Sequence, residues 1–320
     1  MRYLITGGAG FLGSALANRL VTEGHEVLVI DDLSSGDRES LGSGVTFTRG
    51  DVNDIHLLWT LLQDVDCVYH LAAQVSVAQS LLYPRDYNLV NVGGTVSLME
   101  AMRDAGIRRV VLASSGAIYG EHDEQTVKES DAVQPDSPYA VSKWAAEQYV
   151  HTIGNLWGIE TVALRIFNAY GPGQSLPVSH APVIPRFLKA ILTGGSVVIF
   201  NDGQQSRDFV YVTDVLEALL AASTAEKVNR QVINVGSGSG TTIGALVDQL
   251  EKVTGRRAQR VWNREKSGGV RQLVADIGKA RQAIKYNPKV TLEAGLERML
   301  VEDPRFAIGR QNSFSSEETR

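Results

Sequence analysis

The stretch Ser137-Pro-Tyr-Ala-Val-Ser-Lys143 holds the side chains whose types and spacing best suit moving a proton. Ser137 can cap a helix, and Pro138 fits its first position, where a missing amide hydrogen costs nothing. Tyr139 and Lys143 then stand four residues apart, on one face of the first turns. A tyrosine with its ordinary pKa of about 10 is a poor base at neutral pH. A lysine charge and a helix N-terminus both favour its phenolate. Ser115, closing the apolar run Arg109-Val-Val-Leu-Ala-Ser-Ser115, adds a hydroxyl that can relay or steady the proton. Together the three suit taking a proton from an alcohol while hydride leaves its carbon. Taken alone, Tyr-x-x-x-Lys reads as an amphipathic surface helix rather than as a site. The decision rests on what lies upstream.

Upstream, Arg2-Tyr-Leu-Ile-Thr-Gly-Gly-Ala-Gly-Phe-Leu-Gly13 starts an apolar run at once and stops it at glycine, as a buried parallel strand does. Gly7, Gly10 and Gly13 punctuate the turn into a helix with Leu12, Ala15, Leu16 and Leu20 on one side. Such glycines allow a tight turn, a close approach to a pyrophosphate, and close packing of helix on strand, with the helix N-terminus facing the phosphate charge. The second apolar run, Glu26-Val-Leu-Val-Ile30, ends in Asp31 and Asp32, about 20 residues past the glycines, where a ribose 2′-hydroxyl is held. Asp31 can accept that hydrogen bond, and two carboxylates repel a 2′-phosphate, so NAD is expected rather than NADP. Read without the glycines, the two aspartates would merely open a polar loop.

The first half alternates strand and helix patterns: Val45–Thr48, Ile55–Leu62, Cys67–Ala73, Val90–Ala105, Arg109–Ser115, then helix Ser142–Ile153 and strand Thr161–Phe167. Alternation of this kind predicts an α/β fold, a doubly wound parallel sheet covered by helices on both faces. Ligands in such sheets sit outside the carboxyl ends of the strands, where Asp51, Ala72, Ala73 and Ser115 all fall. From Asn168 the chain turns rich in Pro and Gly. Residues 1–167 with about 207–237 are expected to form the dinucleotide domain. Residues 168–206 with 238–308 are expected to form a smaller substrate domain, and 309–320 a disordered tail. The net charge of −5 over 320 residues gives no reason to expect nucleic acid or an anionic membrane as partner. Cys67 is the single cysteine, which excludes an internal disulfide and a cysteine-based metal cluster, and no metal is expected. Glycine interrupts the first apolar run after five residues and no run of 18 apolar residues follows, so a cytoplasmic protein is expected.

These residues resemble the extended short-chain dehydrogenase/reductases that act on nucleotide sugars. The matching elements are Gly7–Gly13, Asp31, Asp51-Val52, Leu71-Ala72-Ala73, Asn91, Ser114-Ser115, Tyr139 with Lys143, Arg165-Ile-Phe-Asn-Ala-Tyr-Gly171 and Arg207-Asp-Phe-Val-Tyr-Val-Thr-Asp214, spread over roughly residues 1–300. The resemblance implies a Rossmann-type fold binding NAD through Gly7, Gly10, Phe11, Leu12, Gly13, Asp31, Asp32, Asp51, Val52, Leu71, Ala72, Ala73, Asn91, Tyr139, Lys143 and Phe167. It implies that Asn168 and Arg207 meet a nucleotide diphosphate, with Lys266 or Arg271 completing the clamp, as an acidic protein binding a pyrophosphate requires. Gly116, Arg186 and Phe200 join Ser115 as candidate substrate contacts. Dimerisation through helices about Val90–Ala105 and Ser142–Ile153 is also implied, with Leu98, Met102, Ala146, Tyr149 and Val150 as an apolar seam.

Within the resemblance, Ser114-Ser-Gly-Ala-Ile-Tyr-Gly120 discriminates among reactions. Dehydratases carry Asp-Glu in place of Gly116-Ala117, and decarboxylases a Glu in place of Ala117. Neither carboxylate is present, and the remaining Ser, Tyr and Lys resemble the 4-epimerases. A non-catalytic NAD-binding sensor is disfavoured by the retention of Tyr139 and Lys143. The substrate expected is a UDP-sugar. Leu273, where a small residue would admit an N-acetyl group, disfavours an N-acetylhexosamine. Ser175, Ser179 and His180 offer hydroxyls and an imidazole to a C5 carboxylate, favouring UDP-glucuronate over UDP-glucose.

Overall fold

The computed structural model describes residues 1–122, 126–177, 181–264 and 270–311. The first strands are β1 (Arg2–Thr6), β2 (Glu26–Asp31), β3 (Val45–Arg49), β4 (Cys67–His70), β5 (Arg109–Ser115), β6 (Thr126–Val127) and β7 (Glu160–Ile166). They are followed by β8 (Asn168–Tyr170), β9 (Ser196–Phe200), β10 (Ser206–Tyr211), β11 (Gln231–Val235), β12 (Gly240–Thr242), β13 (Gln259–Asn263) and β14 (Gln272–Ala275). Seven of them form one parallel sheet in the order β11-β7-β5-β4-β1-β2-β3. This is the expected α/β, Rossmann-type arrangement. The order turns back between β1 and β4, where Thr6 lies opposite His70, so a crevice opens at their carboxyl ends.

Period-2 burial divides the sheet between two cores. Tyr3, Ile5, Val29, Val111 and Leu164 pack with helices Phe11–Thr22 and Val212–Thr224. Leu4, Leu28, Val68, Val110 and Ala163 pack with Leu98, Met102, Val150 and Ile153 of helices Gly94–Ala105 and Pro138–Trp157. Of the five residues expected to form a seam with a second copy, Leu98, Met102, Ala146 and Val150 are therefore buried inside the chain, and Tyr149 is exposed. They cover the sheet because each faces it at the helical period.

Several expected boundaries move. β4 stops at His70 rather than Ala73: the Leu71 amide still meets Thr6 O, but the Ala72 amide goes to the Thr6 side chain instead of a strand carbonyl. The helix expected to begin at Val90 is preceded by a π turn, Asn88–Gly93. The helix carrying Tyr139 runs through Pro138–Trp157, longer at both ends than Ser142–Ile153. β11 returns to the large sheet as expected, but β10 pairs elsewhere: β12-β10-β14-β6, with β8 beside β10, form a second sheet. That sheet draws β6 and nearly all of β10 from the expected dinucleotide domain and β8, β12 and β14 from the expected substrate domain, since the neighbours of a short strand are chosen by the fold rather than by chain order. Helix Pro304–Gln311 crosses the expected start of the tail, and 312–320 lie outside the described residues. Among the described residues no helix is long and apolar enough to cross a membrane.

Helix Pro138–Trp157 is docked by a buried ion pair. Glu147, on its inner face, is fully buried; Arg165 of β7 donates to it from Nη2 at 2.7 Å and from Nε at 3.1 Å. The Ser114 hydroxyl of β5 donates to the same carboxylate at 2.8 Å. Arg165 Nη1 also donates to the Tyr119 hydroxyl, which donates to Asn234 at 2.7 Å. Removing one partner leaves a buried charge uncompensated. Glu147→Ala is expected to lower the unfolding free energy by about 3–5 kcal/mol, and Glu147→Ala with Arg165→Ala by less than the sum of the single changes. Urea unfolding checks this, and a loss from Glu147→Ala below about 1 kcal/mol would put the pair in the class of surface ion pairs.

Candidate active site

Ser137 caps the helix as expected, its hydroxyl accepting from the Ala140 amide at 3.3 Å, and Pro138 takes the first turn. Tyr139 and Lys143 are both buried on the inward face. Ser115 ends β5 with its hydroxyl accepting the Ala117 amide at 3.2 Å, and it stands beside the Tyr139 phenol. Burial pushes that phenol up, with the Ser115 hydroxyl acting the other way. The lysine therefore does not by itself bring the tyrosine below its ordinary range. Burial also holds the Lys143 ammonium down to about 8, Glu147 one turn further along pulling it upward. Tyr87, which sequence reasoning missed, sets its ring edge-on to Tyr139 at 6.3 Å and donates its hydroxyl to Ser76 O at 2.6 Å. Nothing in its sequence neighbourhood marks it; the π turn after it brings it there.

The glycine turn has the geometry a dinucleotide needs. Gly7 has φ +67°, and a Cβ there would meet the Ala72 backbone at 2.6 Å, so β1 and the segment after β4 pass in direct contact. A Cβ on Gly13 would meet Gly7 O at 2.2 Å, so helix and turn pack against each other. On Gly10 it would meet only that same oxygen, at 3.3 Å, which leaves the mouth of the helix open. No side chain caps this helix, and its first turn holds no acidic residue, so its leading amides face the crevice. Phe11 and Leu12 line its first turn, half-buried. Asp31 is buried, taking the Ala9 amide at 3.0 Å on one oxygen and the Leu33 amide at 2.8 Å on the other, with lone pairs left for a hydroxyl. Asp32 faces solvent and accepts the Ser34 amide at 2.8 Å, apart from Asp31.

The other expected residues divide. Gly50 N donates to Asp31 O, bringing exposed Asp51 and buried Val52 to the same end of the sheet. Leu71, Ala72 and Ala73 follow β4, with the Leu71 amide on Thr6 O at 3.1 Å. Asn91 is buried with both amide hydrogens used, on Gln74 O at 3.0 Å and Ser142 Oγ at 2.8 Å, while its oxygen takes the Gln74 amide at 2.7 Å. Phe167 is buried and walls Gly116, whose Cβ would lie 3.1 Å from the ring. Asn168 is exposed at the start of β8. Arg207 is half-buried, its charge disfavoured by burial, and donates to Ser206 O at 2.7 Å; among the described residues no carboxylate pairs with it. Leu273 lies opposite Arg207 between β10 and β14, and Arg271 O accepts the Ser206 amide at 2.9 Å, so Arg271 is brought beside Arg207. Arg186 and Phe200 come from other segments, Arg186 exposed and lying over Phe187. Ser175 is exposed, and Ser179, His180 and Lys266 lie outside the described residues.

The chain matches the NAD dependent epimerase/dehydratase family over residues 3–236. It is 37% identical over 305 residues to a UDP-glucose 4-epimerase from Mycolicibacterium smegmatis, covering 93% of this chain and 97% of that protein. Among solved structures, a UDP-glucose 4-epimerase from Thermotoga maritima with UDP-glucose superposes with a TM-score of 0.91 at 36% identity, covering 96% of this chain and all (100%) of that one. A UDP-glucuronic acid 4-epimerase from Bacillus cereus, in complex with UDP-glucuronic acid and NAD, superposes with a TM-score of 0.88 at 32% identity, covering 98% and 100%.

The fold opposes the charge on Lys143. Its folded pKa of about 8 lies below the ordinary 10.5, so the penalty is full below pH 8 and vanishes as pH rises from 8 to 10.5. Lys143→Met in the ligand-free protein is expected to raise the unfolding free energy at pH 7 by up to about 3 kcal/mol. The gain should fade by pH 10, and urea unfolding at both pH values checks it. A gain unchanged at pH 10 would place the effect in packing rather than charge.

Proposed function

The chain belongs to the NAD dependent epimerase/dehydratase family and is an NAD-using UDP-sugar 4-epimerase, and we propose that UDP-glucose and UDP-galactose are the pair it interconverts. Tyr139 takes the proton of the sugar 4-hydroxyl, Ser115 holds that hydroxyl against it, and Lys143 supplies the cation that makes the phenolate reachable. NAD, when bound, would supply the acceptor and donor of hydride for C4. The glycine turn and the open helix end would hold its pyrophosphate, Asp31 its ribose and Asp51 with Val52 its base, with Ala72, Ala73 and Phe167 beside it. Arg207, with Arg271 beside it and Asn168 on the next strand, holds the substrate diphosphate. The keto sugar then swings about that diphosphate and presents its other face.

One observation carries the reaction type. The buried Ser115–Tyr139 pair stands where Gly116 and Ala117 provide no carboxylate, and buried Glu147 is committed to Arg165 and Ser114. An elimination or decarboxylation would lack its acid. For the sugar, the wall beside the pair is Gly116 on the Phe167 ring, with Tyr87 edge-on to Tyr139. A wall of this kind suits a hydroxymethyl group, whereas a carboxylate would need donors to offset its desolvation. Ser175, one of the three residues that favoured glucuronate, is exposed. The likeness to the Bacillus cereus enzyme keeps UDP-glucuronate as the second reading.

Comparison of kcat/KM for UDP-glucose, UDP-glucuronate and UDP-N-acetylglucosamine tests this. UDP-glucose should lead, Leu273 leaving the N-acetyl sugar behind, and Tyr139→Phe should lower kcat by about 10³-fold with NAD still bound. A lead for UDP-glucuronate would reverse the assignment of the sugar. Brisk turnover by the Phe variant would remove Tyr139 from its role.

A homodimer is part of the same proposal, through a surface that keeps only Tyr149 of the five residues first expected. Val141, Trp144, Tyr149 and Leu156 are exposed along one side of helix Pro138–Trp157, with Leu81, Leu82 and Leu89 exposed on the preceding segment. Light scattering should give twice the chain mass at micromolar concentration, and Trp144→Glu should return it to one chain. A monomer mass for the unaltered protein refutes the assembly.

A further inference from the structure

His70 ends β4 and lies fully inside the molecule, between two threonines that are equally buried. Its Nδ1 is 2.7 Å from Thr6 Oγ1 and its Nε2 is 2.9 Å from Thr95 Oγ1. The remaining bonds of the threonines decide which way the protons point. Thr95 Oγ1 is 2.6 Å from Asn91 O, an atom that can only accept, so the single hydroxyl hydrogen of Thr95 is spent there. Thr95 must then accept from the imidazole, which puts the ring proton on Nε2. Nδ1 is left as an acceptor and takes the Thr6 hydroxyl hydrogen, while Thr6 Oγ1 accepts the Ala72 amide at 3.3 Å. Every donor and acceptor is used once, in a single direction, from the Ala72 amide to the Asn91 carbonyl.

The chain of bonds does not stop at that carbonyl. The Asn91 carboxamide donates to Ser142 Oγ at 2.8 Å, and Ser142 Oγ donates to Tyr139 O at 2.8 Å. One end is thus anchored at Thr6, next to Gly7, and the other at the helical turn that carries Tyr139. We infer that His70, held as the neutral Nε2–H tautomer by Thr6 and Thr95, is a positioning residue that sets Tyr139 against the glycine turn. The inference rests on the epimerase reading, since Tyr139 is the group positioned.

The surroundings keep the ring neutral. Burial holds the imidazole down to about 3, and the nearby Lys143 charge acts in the same direction. A protonated ring would need an acceptor at Nδ1, forcing Thr6 to turn its hydrogen away from the nitrogen that now takes it. A directional chain in a dry interior is also stiffer than its separate links, because each bond polarises the next.

The test pairs a substitution that cuts the chain with one that preserves it. Thr95→Val keeps the volume and removes the hydroxyl; Thr95→Ser keeps the hydroxyl. In the NAD-bound protein acting on UDP-glucose, Thr95→Val should lower kcat at least tenfold while KM stays within about threefold, because the diphosphate clamp is untouched. Thr95→Ser should return kcat to within about threefold of the original. Equal losses in both variants, or no loss in Thr95→Val, would overturn the inference. Nitrogen-15 NMR of His70 in the unaltered protein provides a reading that needs neither a stable variant nor turnover. A neutral Nε2–H ring throughout pH 5–8 is expected, and an Nδ1–H tautomer or a proton taken up in that range would overturn the assignment. Absence of turnover on every UDP-sugar would sink the epimerase reading and leave the NMR result standing on its own.

Discussion

A fully buried carboxylate constrains more of this molecule than any other single group. Glu147 loses all contact with water, so its charge must be met inside the fold, and Arg165 and Ser114 meet it with three hydrogen bonds. Those partners lie on β7 and β5, and the carboxylate lies on helix Pro138–Trp157. Each is a near neighbour of a residue in the site: Ser114 precedes Ser115, Arg165 precedes Phe167 and Asn168 by two and three residues, and Glu147 follows Lys143 by one turn. The requirement to neutralise one charge thus brings two strands and a helix together in the register that the chemistry uses.

The same dryness governs the titrating groups. Burial raises the Tyr139 phenol, lowers Lys143 to about 8 and keeps His70 neutral. Three groups that would carry water in an exposed cleft are left with mutual contacts and with whatever binds there. A phenol held high is a strong base once its proton has gone, and a nearby ammonium whose charge the fold opposes gains most from a polar partner. Among the described residues the protein alone leaves the Lys143 ammonium without a hydrogen-bond acceptor, a lack that a ligand bearing hydroxyls meets.

Much of this site was legible because its signals are local. Gly7, Gly10 and Gly13 act within one turn, and Tyr139 with Lys143 within one helical period, so steric and periodic rules suffice to read them. Asp31 was legible because a strand of ordinary length must end there. The seam for a second copy was misread for the opposite reason. Leu98, Met102, Ala146 and Val150 have the right period for an apolar face, but periodicity does not say whether the sheet or a partner covers that face. Tyr87 and His70 carried no signal, because one is placed by the π turn that follows it and the other by threonines 64 and 25 residues away.

Read by itself, the sequence determined the parallel sheet, the glycine turn, the placing of Tyr139 and Lys143 on one helix face and the missing carboxylates at Gly116 and Ala117, all properties of nearby residues. Tertiary structure alone decided which side chains would be spent on the protein and which left for a ligand. Asn91 and Lys143 show the difference: both are polar and buried, yet Asn91 spends both amide hydrogens within the chain, while no side-chain hydrogen bond is formed by Lys143 among the described residues. The physical reason is that a hydrogen bond depends on a few ångströms of distance between segments far apart in sequence. Only packing sets that distance.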